Sequence, residues 1–287
     1  MPKNPSKWHV TVLRPNRSAA AFDDIAASLV WALMSLGHLV TYQDNNLRQS
    51  AWNIVLGAHL VSPKDHELIN QMDNVIIYNF EQLPRQFSHF PGYEQVLNSH
   101  SVWEYSTTNL NWYRSSNRSH PVYHVPPGYT RVLERIPAAT VRDIDILFLG
   151  GAKGRRKDIL ESMGSVGLRI ASPLGVYGIE RDSLVARSHI LLNLHQFDDH
   201  RYPELLRLTY LWSNRSAVVS EDIQDGILTP NYLEAARWVS VAESVDTIRE
   251  LLGNGVARDR LRERAYSAVR EDQLRDRLLP LVQDFVP

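Results

Sequence analysis

The feature that most constrains this chain is residues 176–221, VYGIERDSLVARSHILLNLHQFDDHRYPELLRLTYLWSNRSAVVSE, which reads as helix, strand, loop, helix, strand. Ile190–Leu194 is a short apolar run suited to a buried strand, and Ala217–Ser220 is a second. His195–Tyr202 is a polar loop between them, and Pro203 fits the first turn of a helix, where a missing N–H costs nothing. Consecutive buried strands joined through helices form a parallel sheet, and ligands of such sheets sit beyond the carboxyl ends of the strands. Asn193, His195, Glu204, Arg207, Ser220 and Glu221 are therefore expected to wall a crevice.

The same pattern recurs along the chain. His9–Leu13, His38–Tyr42, Asn53–Leu56 and Asn74–Tyr78 read as strands, and Phe22–Leu36 as an amphipathic helix closed by Gly37. A polar, aromatic section spans Trp103–Tyr129 and ends in the turn Pro126-Pro127-Gly128. Glu134–Asp143 reads as a linker, after which Asp145–Leu149, Gly150-Gly151 and a helix near Lys157 open a fresh unit. Arg258–Phe285 reads as one helical segment. A chain of 287 residues, 44% hydrophobic, is long enough for two such α/β units with their own cores.

A net charge of −1 gives no basic field for nucleic acid, and the lack of cysteine excludes disulfides, zinc–thiolate sites and cysteine nucleophiles. No window approaches the roughly 20 apolar residues of a membrane span, and MPKNPSKWHVTVLRP lacks the apolar core of a signal peptide. A cytoplasmic protein without a transmembrane segment is the expectation.

Three segments, DIDILFLGGAKGRRKDIL, YGIERDSLVARSHILLNLHQF and YPELLRLTYLWSNRSAVVSE, resemble the nucleotide-sugar half of GT-B glycosyltransferases. They are most similar to a bacterial branch, CgeB-like or glycosyl transferase family 1-like, which VWEYS and VPPGY also match. The resemblance covers most of residues 74–221. It implies an α/β fold of two Rossmann-like domains facing across a cleft: residues 1–135 for the acceptor, and residues 143–287, with a terminal helix, for the nucleotide-sugar donor. In such enzymes a glutamate near the start of this helix binds the donor ribose. Glu204 takes that place, with Arg207 one turn on. The best-known pattern has two glutamates flanking a seven-residue gap, where this chain has Tyr202 and Tyr210.

On its own, the Glu204–Arg207 spacing equally suits a surface ion pair. Gly151, Arg155 and Arg156 lie between a strand and a helix, where backbone N–H groups and guanidiniums can hold a diphosphate; paired arginines recur there in the resembled branch. The plainer reading is a glycine turn with a solvated basic helix start. Gly178 offers its backbone to a nucleobase or simply caps a helix, with Glu180 and Arg181 solvated, and His189 reads as structural. Asn193, His195 and Ser220 complete the donor set. Glu81 and then Glu104 are the candidate general bases, Glu104 being otherwise a backbone-bonded structural carboxylate. Asp23 and Asp24 suit a helix start better. Asn16 and Arg17, in the loop Arg14–Ser18, are candidate acceptor contacts.

Asp198 and Asp199 suit loop solvation or capping, and no metal is expected. Nor is a cofactor, the nucleotide-diphosphate sugar being a co-substrate. The acceptor is open among a glycan, a lipid-linked glycan, a peptide and a small molecule, with no nucleic acid. The alternatives are a non-catalytic nucleotide- or sugar-binding protein that retains the fold, and a two-domain periplasmic-type binder, which lacks its export signal here.

Overall fold

The computed structural model describes residues 7–116, 118–137, 139, 141–199, 202–223, 228 and 230–285. Parts of the expected linker, of the loop His195–Tyr202 and of the N-terminal segment lie outside them. The chain divides into two compact units, Met1–Val132 with Gln273–Pro287, and Leu133–Asp272.

The first unit is built on six parallel strands: β1 (Lys7–Val12), β2 (Leu39–Tyr42), β3 (Trp52–Leu56), β4 (Val75–Asn79), β5 (Ser101–Glu104) and β6 (Val122–His124). Their order is β2-β1-β3-β4-β5-β6, reversing direction between β1 and β3. The inner strands are apolar and buried on both faces, as a helix-covered parallel sheet requires. Helix α1 (Asp23–Ser35) buries Ile25, Leu29, Ala32 and Leu33, one stripe at helical spacing. Its successor α2 (Pro63–Asn70) starts at a Ser62–Asp65 capping box with proline at the first turn. Helices α3 (Tyr93–Ser99) and α4 (Thr107–Ser115) follow β4 and β5. The polar, aromatic section Trp103–Tyr129, to which no element was assigned, holds part of β5 and all of α4 and β6.

The second unit repeats the scheme with β7 (Ile144–Phe148), β8 (Ile170–Ala171), β9 (Ser188–Asn193), β10 (Val218–Glu221) and β11 (Arg237–Val239), in the order β11-β10-β9-β7-β8, all parallel. Its helices are α5 (Arg155–Ser165), α6 (Gly178–Arg187), α7 (Leu205–Ser213), α8 (Pro230–Leu233), α9 (Val241–Gly253) and α10 (Gly255–Glu271). Ile146, Phe148, Ile190, Leu192 and Val219 meet Met163, Ile248, Leu251 and Leu261 in its core. Pro203 stands just ahead of α7 rather than in its first turn. Glu204, at φ −74° and ψ 68°, is the non-helical cap residue.

Two expectations of organisation change. The single helix expected over Arg258–Phe285 breaks at Asp272, and a separate α11 (Leu274–Leu281) follows. From Gln273 onward the chain belongs to the first unit, not to the donor domain 143–287. There α11 packs on α1, and the Phe285 ring lies 5.0 Å from Trp52 and 5.9 Å from Trp8. The start of the expected linker is fastened to the second unit. Asn214 accepts from the backbone N–H groups of Arg135 (3.1 Å) and Ile136 (2.9 Å) and donates to the Leu133 carbonyl (2.8 Å).

Candidate functional site

In the second unit the strand order reverses between β7 and β9, the place where open parallel sheets form a ligand crevice beyond the strand ends. Gly150 opens the loop after β7 at φ 150°, a value that side chains rarely adopt. A Cβ there would come within 3.3 Å of Arg207 and 3.4 Å of Phe148. Glycine thus lets the loop backbone lie against the arginine.

Most of the predicted donor residues converge on this crevice. The Glu204 carboxylate accepts from Arg156 Nη2 at 2.9 Å and from Asn193 Nδ2 at 3.0 Å. Asn193, fully buried at the end of β9, also donates to Ser220 Oγ at 3.0 Å and accepts from Arg207 Nη1 at 2.9 Å. Arg156 donates to the Leu194 carbonyl from Nε (3.0 Å) and Nη2 (2.8 Å). Glu221, the last residue of β10, accepts from the His195 N–H at 3.0 Å and from Arg155 Nη1 at 2.9 Å. Arg155 also pairs with Asp198, which is therefore an ion-pair partner rather than only a loop-solvating residue. His195 is buried, with Nε2 2.8 Å from the Asp222 carbonyl and Nδ1 3.7 Å from Glu204.

The plain surface ion pair expected from the Glu204–Arg207 spacing is replaced by longer-range partners. Arg207 bonds Asn193, while Glu204 bonds Arg156 from another helix. Burial is the largest cause lowering the Arg156 pKa, whereas the hydrogen bond to Glu221 is the largest cause raising that of Arg155. A guanidinium stays charged in either case. Three arginines and three carboxylates thus meet where a strand end, a glycine turn and a helix start adjoin. Glu204 is 20% exposed on its side chain, and each of its oxygens has a lone pair beyond the bonds described. A vicinal diol can donate to it, and a phosphate can draw on Arg155 and the loop N–H groups.

Gly151 lies in the same loop as Gly150, with open space beside it. Gly178 does not join the cluster through any described contact. It opens α6 at φ 56° with nothing near its Cβ position. Arg181, expected to be solvated, instead stacks on the Tyr210 ring at 3.8 Å, and Tyr210 donates to Asp182 at 2.5 Å.

A second polar cluster lies at the carboxyl ends of β4 and β5 in the first unit. Glu81 is half-buried just past β4, and His59 Nε2 lies 3.2 Å from its Oε1. Burial pushes the Glu81 carboxyl up to about 7 and is the main cause holding the His59 imidazole down at about 3. Glu104 does not fit the role of base. It is completely buried and accepts from Asn79 Nδ2 (2.7 Å), Ser106 N–H (2.8 Å) and Asn109 Nδ2 (3.0 Å), which leaves it no open face for an acceptor. Its desolvation outweighs those bonds and pushes its pKa up to about 8.

Asn16 is exposed, but its side chain caps the following 3-10 turn through the Ser18 N–H at 2.9 Å. Arg17 is exposed beside it. Asp23 pairs with Arg14, and Asp24 is buried in the first turn of α1. Sequence reading missed His59, Asn79 and Asn109. His59 stands just past a predicted strand, as His195 does, and that pattern is a usable signal.

No family model matches the chain. Among curated relatives, uncharacterized protein L140 of Acanthamoeba polyphaga mimivirus is 28% identical over 192 residues, 66% of this chain and 62% of the relative. Uncharacterized protein L137 of the same virus is 26% identical over 166 residues, 57% of this chain and 23% of the relative. The matched region thus spans less than two thirds of those relatives' own lengths. They are viral, and the expected bacterial, CgeB-like placement finds no support in them.

Solved structures align with nearly the whole chain. T4 phage BGT in complex with UDP-glucose superposes with a TM-score of 0.58 at 10% identity, covering 97% of this chain and 98% of that one. Sucrose-phosphate synthase from Thermosynechococcus elongatus gives 0.60 at 12%, with 98% and 99% covered. An alpha-glucosyltransferase in complex with UDP and a 13-mer DNA gives 0.60 at 11%, with 93% and 96% covered. At such identities the likeness defines the fold, which is GT-B.

Proposed function

We propose that this GT-B chain is a glycosyltransferase that moves a sugar from a nucleotide-diphosphate donor to an acceptor hydroxyl. The observation that carries the reading is Glu204. A carboxylate at a helix start, held by Arg156 and Asn193 and still partly open, sits at the strand-order reversal of the second unit. In this reading Glu204 accepts the ribose diol. Arg155, Arg156 and the loop at Gly150-Gly151 take the diphosphate, and Arg207, Asn193, His195 and Ser220 hold that constellation in place. Negative charge grows on the leaving diphosphate during transfer, and fixed guanidiniums and N–H groups stabilise it without a metal. Neighbours of the same fold were solved with UDP or UDP-glucose, which favours a uridine donor.

Glu81 is the general base, poised near neutral pH to take the acceptor's proton. One neighbour was solved with DNA. The net charge of −1 favours a glycan, lipid-linked glycan, peptide or small-molecule acceptor instead.

Thermal-shift titration with UDP, GDP, dTDP, CMP and ADP tests the donor site. Stabilisation by UDP that is lost in Glu204→Ala supports it, and no response to any nucleotide rejects it. Release of glucose from UDP-glucose separates a catalyst from a mere binder.

A further inference from the structure

In the first unit the strand order reverses between β1 and β3, so the loop after β3 borders a carboxyl-end crevice. His59 lies in that loop, just past Gly57 at φ 76°. The residue is 7% exposed, and its ring is boxed by Phe90 at 4.7 Å, Tyr93 at 5.6 Å and Phe22 at 5.9 Å, all edge-on. A polar ring enclosed so tightly by aromatics needs a partner to justify its burial. Its Nε2 faces the Glu81 carboxyl at 3.2 Å.

The backbone of Glu81 is fixed by two asparagines. Its N–H donates to Asn79 Oδ1 at 3.0 Å. Its carbonyl accepts from Asn79 Nδ2 at 3.0 Å and Asn109 Nδ2 at 2.7 Å. Those amides are in turn gripped by Glu104, and Asn79 also by the Tyr93 hydroxyl at 2.8 Å. The buried Glu104 carboxyl thus orders the two asparagines that hold Glu81.

We propose that His59 is a positioning residue that donates from Nε2 to the Glu81 carboxylate and fixes which of its oxygens is offered to an acceptor hydroxyl. The role of Glu81 as base rests on the proposed function; the 3.2 Å approach of His59 Nε2 to its carboxyl does not. The titratable groups around the pair are His66 and Tyr93, with Glu104 behind the asparagine layer. Burial keeps His59 neutral across the working pH range, and donation to Glu81 requires the Nε2–H tautomer.

The test is carboxyl-carbon NMR of glutamate-labelled protein, with Glu81 assigned from Glu81→Gln, titrated for wild type, His59→Phe and His59→Gln. Phenylalanine keeps the aromatic box without the donor, and glutamine keeps a donor. The expected result is about a tenfold rise in Glu81 proton affinity in His59→Phe, the equivalent of one charge-assisted bond, with at least partial rescue in His59→Gln. An unchanged or lowered affinity in His59→Phe overturns the proposal. Nitrogen-15 spectra of the wild-type ring at pH 8 provide a second readout that needs no variant: Nε2–H supports the proposal and Nδ1–H refutes it. Failure of UDP to bind would reject the donor site while leaving this result standing.

Discussion

Replacing Glu104 with glutamine isolates the energetic consequence of burying a carboxyl group. The wild-type carboxyl has a folded pKa raised to about 8 from an ordinary 4.5, chiefly by burial. A raised folded pKa means that the folded state binds more protons than the unfolded chain between those values. The stability it contributes is present below pH 4.5 and is lost as pH rises through 8. The limiting slope is about 1.4 kcal/mol per pH unit, which gives a loss of about 2–3 kcal/mol between pH 5 and 7. Glutamine does not titrate, but its amide turns an N–H toward the donors of Asn79, Asn109 or Ser106, at a cost of about 1–3 kcal/mol at any pH. Glu104→Gln should therefore be less stable than wild type at pH 5 and equal or better at pH 8. Hydrogen–deuterium exchange of β4 and β5 peptides across a urea series, at both pH values, reads the first unit alone. A stability gap that stays constant from pH 5 to 8 would refute the argument, because Glu104 would then not be taking up a proton on folding.

Arg156→Lys removes the forked donation to Leu194 and the bond to Glu204. A lysine reproduces only a point charge, so urea unfolding of the second unit should show a loss of about 2–3 kcal/mol. Gly150→Ala forces a side chain into φ 150° and against Arg207; a loss of about 1–3 kcal/mol is expected, with nucleotide binding weakened if the donor-site reading holds, both read by thermal shift. Asn214→Ala frees the chain at Leu133–Ile136, and limited proteolysis should cut near residues 133–143 several-fold faster than in wild type.

The alternation of strands and helices was legible because buried parallel strands are nearly continuous apolar runs. Seven of the expected strands, from His9–Leu13 to Ala217–Ser220, fall within a residue or two of β1, β2, β3, β4, β7, β9 and β10. β5 and β6 escaped notice for a physical reason. β5 ends in Glu104, a charge that marks a loop in one dimension and is buried only because Asn79 and Asn109 arrive from elsewhere in the chain. The start of α7 was displaced because proline suits both a first helical turn and the residues just before one. Local propensity does not separate the two, and the ψ of 68° at Glu204 does. The gathering of Asn193, His195, Glu204 and Ser220 followed from strand-end logic. Their partners did not, since Glu204 reaches Arg156, 48 residues away, rather than its helical neighbour Arg207.

The return of the chain to the first unit after Asp272 has a bearing on biosynthesis. The last pieces of that unit, α11 and Phe285, leave the ribosome only after the whole of the second unit has emerged. Until then Trp8 and Trp52 lack the ring that later lies against them, and α1 lacks its neighbour. The second unit, contiguous from Leu133 to Asp272, can complete its sheet first. During translation the first unit therefore cannot bury Trp8, Trp52 and α1 against these last residues until the second unit has been synthesised.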